Sequence, residues 1–218
     1  MNKAERYELT VDRLKALFPN ADTELNYETP FQLLVAVILS AQCTDKRVNI
    51  VTPALFERYK SVKDLADSSE EEIYSYIKSI SYPNAKTKNL KKMAIRLHEV
   101  YNDEIPSDTD ELQTLAGVGR KTAMVMAAVL YKQAVMPVDT HVHRVSARIG
   151  LTNNAKNVLE TEKQLLANLK SNANLADLHH QLILLGRYIC KARRPLCENC
   201  VLTDFCKFYK LKEKKKEK

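Results

Sequence analysis

The sequence predicts an all-α protein, and three observations carry that prediction. Only 4 of the 218 residues are glycine, against the ~7% typical of proteins. Hairpin-rich β folds and glycine-rich nucleotide cradles both need more. Helix-start signals recur along the whole chain, and no run reads as a strand. Apolar residues make up 45% and charged residues 28%, ordinary values that argue against disorder. A chain of this length buries about 70% of its unfolded surface, in one domain or two modest ones.

The helices follow in order. Tyr7, Val11, Leu14 and Phe18 fall at helical spacing, so residues 4–18 form an amphipathic helix that Pro19-Asn20 ends. Thr29 is an N-cap, Pro30 takes the first helical position, and Gln32 completes a capping box. The helix it opens runs to about Ala41, is apolar all round, and belongs at the centre of a core. Thr52-Pro53 restarts a helix to about Tyr59, and Ser69 caps one reaching Lys78. Residues 84–101 make a basic amphipathic helix, and Asp108 with Glu111 makes another capping box. Further helices fall at about 120–132, 140–149, 156–169 and 174–189. There is no internal repeat, and only the final Lys/Glu tail has low complexity.

The longest apolar run, Leu33 to Leu39, is far short of the ~18 residues of a spanning helix. The N-terminus carries no hydrophobic signal core. The expectation is a cytoplasmic protein with reduced cysteines and no membrane partner. The 34 basic and 27 acidic residues leave a net charge of +7. Residues 1–83 are net −3, residues 84–209 net +6 and the tail 210–218 net +4. A basic excess segregated in this way fits a polyanion such as nucleic acid.

Four of the five cysteines, Cys190, Cys197, Cys200 and Cys206, lie in the spacing C-x6-C-x2-C-x5-C. Four thiols so close together on a flexible loop converge on one ion or cluster. Structural zinc usually shows two C-x2-C-type knuckles. The single knuckle with wide arms leans towards a [4Fe–4S] cubane, with zinc as the alternative. Lys191, Arg193 and Arg194 in the same loop suit phosphate contacts. Cys43 stands alone in an apolar stretch, as a small buried residue.

Two of the glycines share the segment L-Q-T-L-A-G-V-G-R-K-T-A, residues 112–123. A helix on each side makes a helix–hairpin–helix. Gly117 takes a left-handed C-cap, and Gly119 lets the backbone approach a ligand. N–H groups at the start of the second helix form an anion site for a backbone phosphate. Lys121 sits at that helix start, where a cation is disfavoured, and burial in a cleft would add to this. Both effects favour the neutral amine of a nucleophile; the alternative is a surface lysine on a phosphate-binding turn. Asp139, in M-P-V-D-T-H, is an N-cap whose carboxylate stays ionised. It is either a plain cap or the acidic partner of Lys121.

With L-A-G-V-G-R-K-T-A, V-D-T-H, L-S-A-Q-C-T-D (residues 39–45) and the cysteine spacing in this order, the chain resembles the endonuclease III family. These are the bifunctional DNA glycosylase/AP lyases of the helix–hairpin–helix superfamily, and the similarity spans about residues 4–208. The resemblance implies a two-domain helix–hairpin–helix DNA glycosylase fold with a C-terminal iron–sulfur cluster loop. Residues 22–132 would be a six-helix barrel with the hairpin at about 108–128. Residues 1–21 and 133–211 would be a discontinuous cluster domain, and 212–218 a disordered basic tail. It further implies Lys121 as nucleophile, Asp139 as its acidic partner, and Cys190, Cys197, Cys200 and Cys206 as ligands of a [4Fe–4S] cluster. Gln42 would fill the gap left by a flipped nucleotide. Gly117, Gly119, Arg120, Lys191, Arg193 and Arg194 would touch DNA. The implied partner is damaged double-stranded DNA, bound by a monomer, with oxidised or ring-saturated pyrimidines and abasic sites as substrates. Two departures stand out. Ala116 replaces a usual proline, and Tyr82-Pro83 stands where the family has a leucine wedge followed by tyrosine. Tyr82 is then either the wedge, restricted to extended backbone by Pro83, or a residue packed against the barrel while a neighbour does the wedging. Rival readings are a mismatch glycosylase of the same superfamily and a non-catalytic iron–sulfur DNA-binding protein. Lys121 and the short chain argue against the first, and the Lys121/Asp139 pair is superfluous in the second.

Overall fold

The computed structural model describes residues 1–169 and 175–216, and every regular element among them is helical. The chain divides into two compact units, Glu24–Lys132 and Met1–Thr23 with Gln133–Lys218. No described helix is long and apolar enough to cross a membrane.

Seven helices build the Glu24–Lys132 unit: α2 (Pro30–Ser40), α3 (Asp45–Arg58), α4 (Val62–Asp67), α5 (Glu70–Ile77), α6 (Pro83–Tyr101), α7 (Thr109–Gln113) and α8 (Arg120–Tyr131). Helix α2 is central to the core of this unit. Phe31 and every residue from Leu33 to Leu39 are buried, and α3, α6 and α8 pack around it. Thr29 caps it by accepting the Gln32 N–H at 3.2 Å. The expected capping box does not close, because Gln32 Oε1 reaches one residue further back, to the Glu28 N–H at 2.7 Å.

Helix α3 corrects the expected restart at Thr52-Pro53. It begins at a Thr44 cap and runs unbroken through Pro53. The buried face of Val48, Val51 and Leu55 outweighs the hydrogen bond that the proline cannot make. Helix α4 is not among the predicted helices, although Ser61 and Asp64 form its complete capping box. The α7 cap is one-sided: Asp108 Oδ1 accepts from the Asp110 and Glu111 N–H groups.

The other unit joins α1 (Lys3–Leu17) to α9 (Thr140–Ile149), α10 (Val158–Leu166), α11 (Leu175–Leu184) and α12 (Lys207–Lys216). Its core gathers Tyr7 and Leu14 with Val142, Val145, Leu182 and Phe205. The Tyr7 hydroxyl donates to Leu151 O at 2.8 Å, and Arg6 Nη1 donates to Ile149 O at 3.0 Å. Arg13 forms a two-pronged ion pair with Asp204, at 2.6 and 2.9 Å, and donates to Val201 O.

Helix α10 is shorter than the predicted 156–169, because Asn157 caps it by accepting from Glu160 N–H. Residue 174 of the predicted 174–189 helix lies outside the described residues. That helix loosens at its end into a π turn, Leu185–Ile189, closed by the Cys190 N–H to Leu185 O bond at 2.6 Å. Helix α12 carries on to Lys216, into the stretch expected to be disordered. Lysine and glutamate are good helix formers, and their charge alone does not break a helix. Residues 217 and 218 lie outside the described residues.

Candidate active site and metal centre

The hairpin turn lies between α7 and α8. Helix α7 stops early, at Gln113, and Val118 N–H closes the turn on Leu115 O at 3.1 Å. Gly117 adopts φ +84, left-handed as expected, though beyond the helix cap, which is Thr114. A Cβ there would lie 3.0 Å from Asn89 Cβ and 3.2 Å from Ile38 Cγ2. Gly117→Ala is therefore expected to cost about 1–2 kcal/mol from the left-handed backbone alone. A lower urea midpoint at unchanged m-value would register it. Gly119 differs: its backbone is extended, and a Cβ there would meet nothing within 4 Å. The chain's own packing gives no reason for glycine at 119, which fits close approach by a ligand. No side chain caps α8. Arg120 and Lys121, its first two residues, are both exposed, so burial of Lys121 does not occur within this unit.

Gln42 and Tyr82 belong to the same unit. Both are exposed and both are left-handed, at φ +54 and φ +57. For Tyr82 this corrects the expected extended conformation. The chain reverses within the few residues after α5, and Tyr82 O must then accept the Lys86 N–H, at 3.1 Å, to start α6. Cys43 is half-buried against the core, less deep than expected.

In the other unit, Asp139 is the N-cap of α9, and its Oδ1 accepts the Val142 N–H at 2.8 Å. His141 follows on the same turn. Burial holds its imidazole below the ordinary value, against the opposing pull of Asp139. Arg144 Nη2 lies 3.2 Å from His141 Nδ1, and a guanidinium only donates, so the ring proton sits on Nε2.

The four cysteines line one pocket, shared with Leu185, Leu196 and Phe208. Burial pushes the Cys200 thiol up to about 11 and also raises Cys197 and Cys206. Such thiols ionise only against a strong positive charge, which cluster iron provides. Arg148 Nη1 donates to Cys190 Sγ at 3.4 Å, the contact an anionic sulfur ligand accepts. Arg148 also donates to Lys191 O at 2.8 Å and Ala192 O at 2.9 Å, holding the loop that exposes Lys191, Arg193 and Arg194.

Sequence reading missed the two α9 arginines. Arg144 donates to Gly186 O at 2.9 Å and Arg148 to the cluster loop. Their spacing of four on one helix was the available signal.

The family described as "HhH-GPD superfamily base excision DNA repair protein" matches residues 35–171. The "Iron-sulfur binding domain of endonuclease III" matches residues 190–206, from the first clustered cysteine to the last. Endonuclease III of Bacillus subtilis is 42% identical over 215 residues, 99% of this chain and 98% of that protein. The Escherichia coli K12 enzyme is 41% identical over 95% of this chain and 97% of its own. A solved structure described as a trapped endonuclease III–DNA covalent intermediate superposes with a TM-score of 0.90 at 41% identity. It covers 98% of this chain and 100% of that one. A thermostable thymine-DNA glycosylase, at 20% identity and a TM-score of 0.85, shares the fold. Carrying both the hairpin and the iron–sulfur segment, the chain belongs to the HhH-GPD superfamily of base excision DNA repair proteins and, within it, to the endonuclease III family.

Proposed function

We propose that Lys121 is the nucleophile, and Asp139 its acidic partner, in the glycosylase and AP lyase chemistry of this endonuclease III-family protein. The observation that carries the assignment is an exposed lysine, second in a helix that no side chain caps, beside a glycine that the chain's own packing does not require. A trapped covalent DNA intermediate of a 41%-identical neighbour supports a nucleophile on the protein.

The substrates are oxidised or ring-saturated pyrimidines and abasic sites in duplex DNA. The damaged nucleotide leaves the stack, most cheaply where pairing or stacking is already impaired. The ionised Asp139 carboxylate steadies the positive charge growing on the sugar, while the proton that Lys121 sheds on becoming a neutral amine passes to the departing base. The Lys121 lone pair forms a bond to C1′ and the base departs with the glycosidic electron pair. The nitrogen lone pair then forms the C=N bond, the ring oxygen leaves C1′ with the C–O electron pair and takes the proton the nitrogen gives up, and an imine results. The imine acidifies the C2′ proton, and its removal expels the 3′ phosphate by β-elimination. Gln42 and Tyr82 occupy the space that the extruded nucleotide leaves.

Cys190, Cys197, Cys200 and Cys206 hold the iron–sulfur cluster, of [4Fe–4S] type. When bound, the cluster would fasten the loop between Cys190 and Cys206 through these four cysteines. Residues 22–132 act as the barrel domain, with 1–21 and 133–211 as the cluster domain. The protein works as a cytoplasmic monomer without a membrane partner. Borohydride reduction with an abasic duplex tests the chemistry: a stable protein–DNA adduct is expected, and its absence would refute the lyase reading.

Lys191, Arg193 and Arg194 contact backbone phosphates. Replacing all three with alanine is expected to weaken binding equally across lesion types. Each lost contact lowers the slope of log K against log salt by ~0.9. An unchanged slope in the triple variant would leave these residues as bystanders.

A further inference from the structure

Lys86 is the most deeply buried lysine of the basic helix α6, on which Lys91 is also half-buried and donates to the Ala66 and Ser68 carbonyls. Its neighbours Ala85 and Lys88 are exposed, whereas Lys86 is only 5% exposed. Its Nζ donates to Leu39 O at 2.7 Å and to Ala41 O at 2.6 Å. These two carbonyls belong to the end of α2 and the residue after it, immediately before Gln42. The same residue's backbone N–H donates to Tyr82 O at 3.1 Å. One buried residue thus bonds to both segments that carry the left-handed, exposed side chains Gln42 and Tyr82. Left-handed backbone at a residue with a side chain persists only where the surroundings over-determine it, and such positions gather at functional sites. One turn further along α6, Asn89 packs against Gly117 of the hairpin.

A cation at a helix C-terminus is favoured by the helix dipole, so a lysine suits the end of α2. Burial pulls the Lys86 ammonium below the usual lysine range. The site accepts that cost where an apolar residue would pack without it.

We infer that Lys86 is a positioning residue: its ammonium fixes the Gln42 segment against the Tyr82 turn, so that both side chains enter the duplex in one register. This rests on the proposed roles of Gln42 and Tyr82. Lys86 itself touches no DNA in this account. Its effect on excision is transmitted wholly through those two side chains.

A double-mutant cycle separates that role from simple support of the fold. Single-turnover excision of dihydrothymine from a duplex is measured for the wild type, Lys86→Met, the pair Gln42→Ala with Tyr82→Ala, and the triple variant. Lys86→Met is expected to slow the wild type about tenfold, yet to change the paired variant less than about twofold, as residues acting in series do. A merely structural loss would slow both backgrounds alike. Equal slowing of both, with the paired variant itself slow, overturns the inference and leaves the proposed roles standing. A paired variant as fast as wild type overturns those roles and the inference with them. If Lys86→Met does not fold, Lys86→Gln, which keeps an N–H donor on a shorter neutral side chain, goes through the same cycle with the same expected pattern.

Discussion

Lys121→Gln is expected to abolish both the borohydride-trapped adduct and strand cleavage. The loss should be on the order of 10³-fold or more, as when a nucleophile is removed outright. Glutamine retains much of the side chain's reach and its hydrogen-bonding capacity, but has no lone pair able to form an imine. The Gly117–Gly119 turn is untouched, so duplex binding is expected to survive. Gel-shift titration beside the trapping assay reads both quantities on one preparation. An undiminished adduct in the variant would move the nucleophile elsewhere. A lost adduct with lost binding would mean that Lys121 mainly holds phosphate.

The second large effect belongs to the cysteine loop. The purified protein is expected to be yellow-brown, with about four irons per chain. Cys197→Ser removes one of the four sulfurs lining the shared pocket. It is expected to bleach the visible absorbance and to lower helix content in the unit that holds α9 to α12. Cys200, pushed up to about 11, stays protonated at neutral pH without a metal charge and cannot pair with the loop's cations. Metal analysis settles the matter: one zinc and no iron would refute the cluster assignment.

Sequence reading found the helices whose signals are local. Thr29, Ser69 and Asp108 all cap where their side chains predict, each accepting an N–H of the first turn. The hairpin was legible for the same reason, since two glycines in a glycine-poor chain mark a turn. Helix α3 was misread because Pro53 is a strong local signal against helix, whereas the packing of Val48 and Leu55 that overrides it is tertiary. Tyr82 was misread in the same way: the residue before a proline prefers extended backbone, but the turn into α6 sets a left-handed one. Lys86 was invisible. A lysine on a basic helix reads as solvent-facing, and nothing local reveals two carbonyls waiting at the end of another helix. Of the candidate site, the residue types were readable because the motifs are contiguous. Their supports, Lys86, Arg144 and Arg148, were not, because each bonds across the chain.

The tie between α1 and the C-terminal part of its unit bears on the order in which the protein is made. Arg13 lies 191 residues before Asp204, its ion-pair partner, and Tyr7 lies 144 before Leu151, whose carbonyl it binds. At the ~5–20 residues per second of translation, α1 emerges about 10–40 s before Asp204 exists. The Glu24–Lys132 unit is contiguous, so its hydrophobic partners are all synthesised during that interval. Through it, α1 waits with Leu14 and the ring of Tyr7, both buried in the finished protein, still lacking their partners. On the ribosome the nascent chain therefore carries a folded middle and an unsatisfied beginning. An arrest series in which the chain is halted at successive lengths should see protease resistance arrive in two steps, the contiguous unit well before the split one.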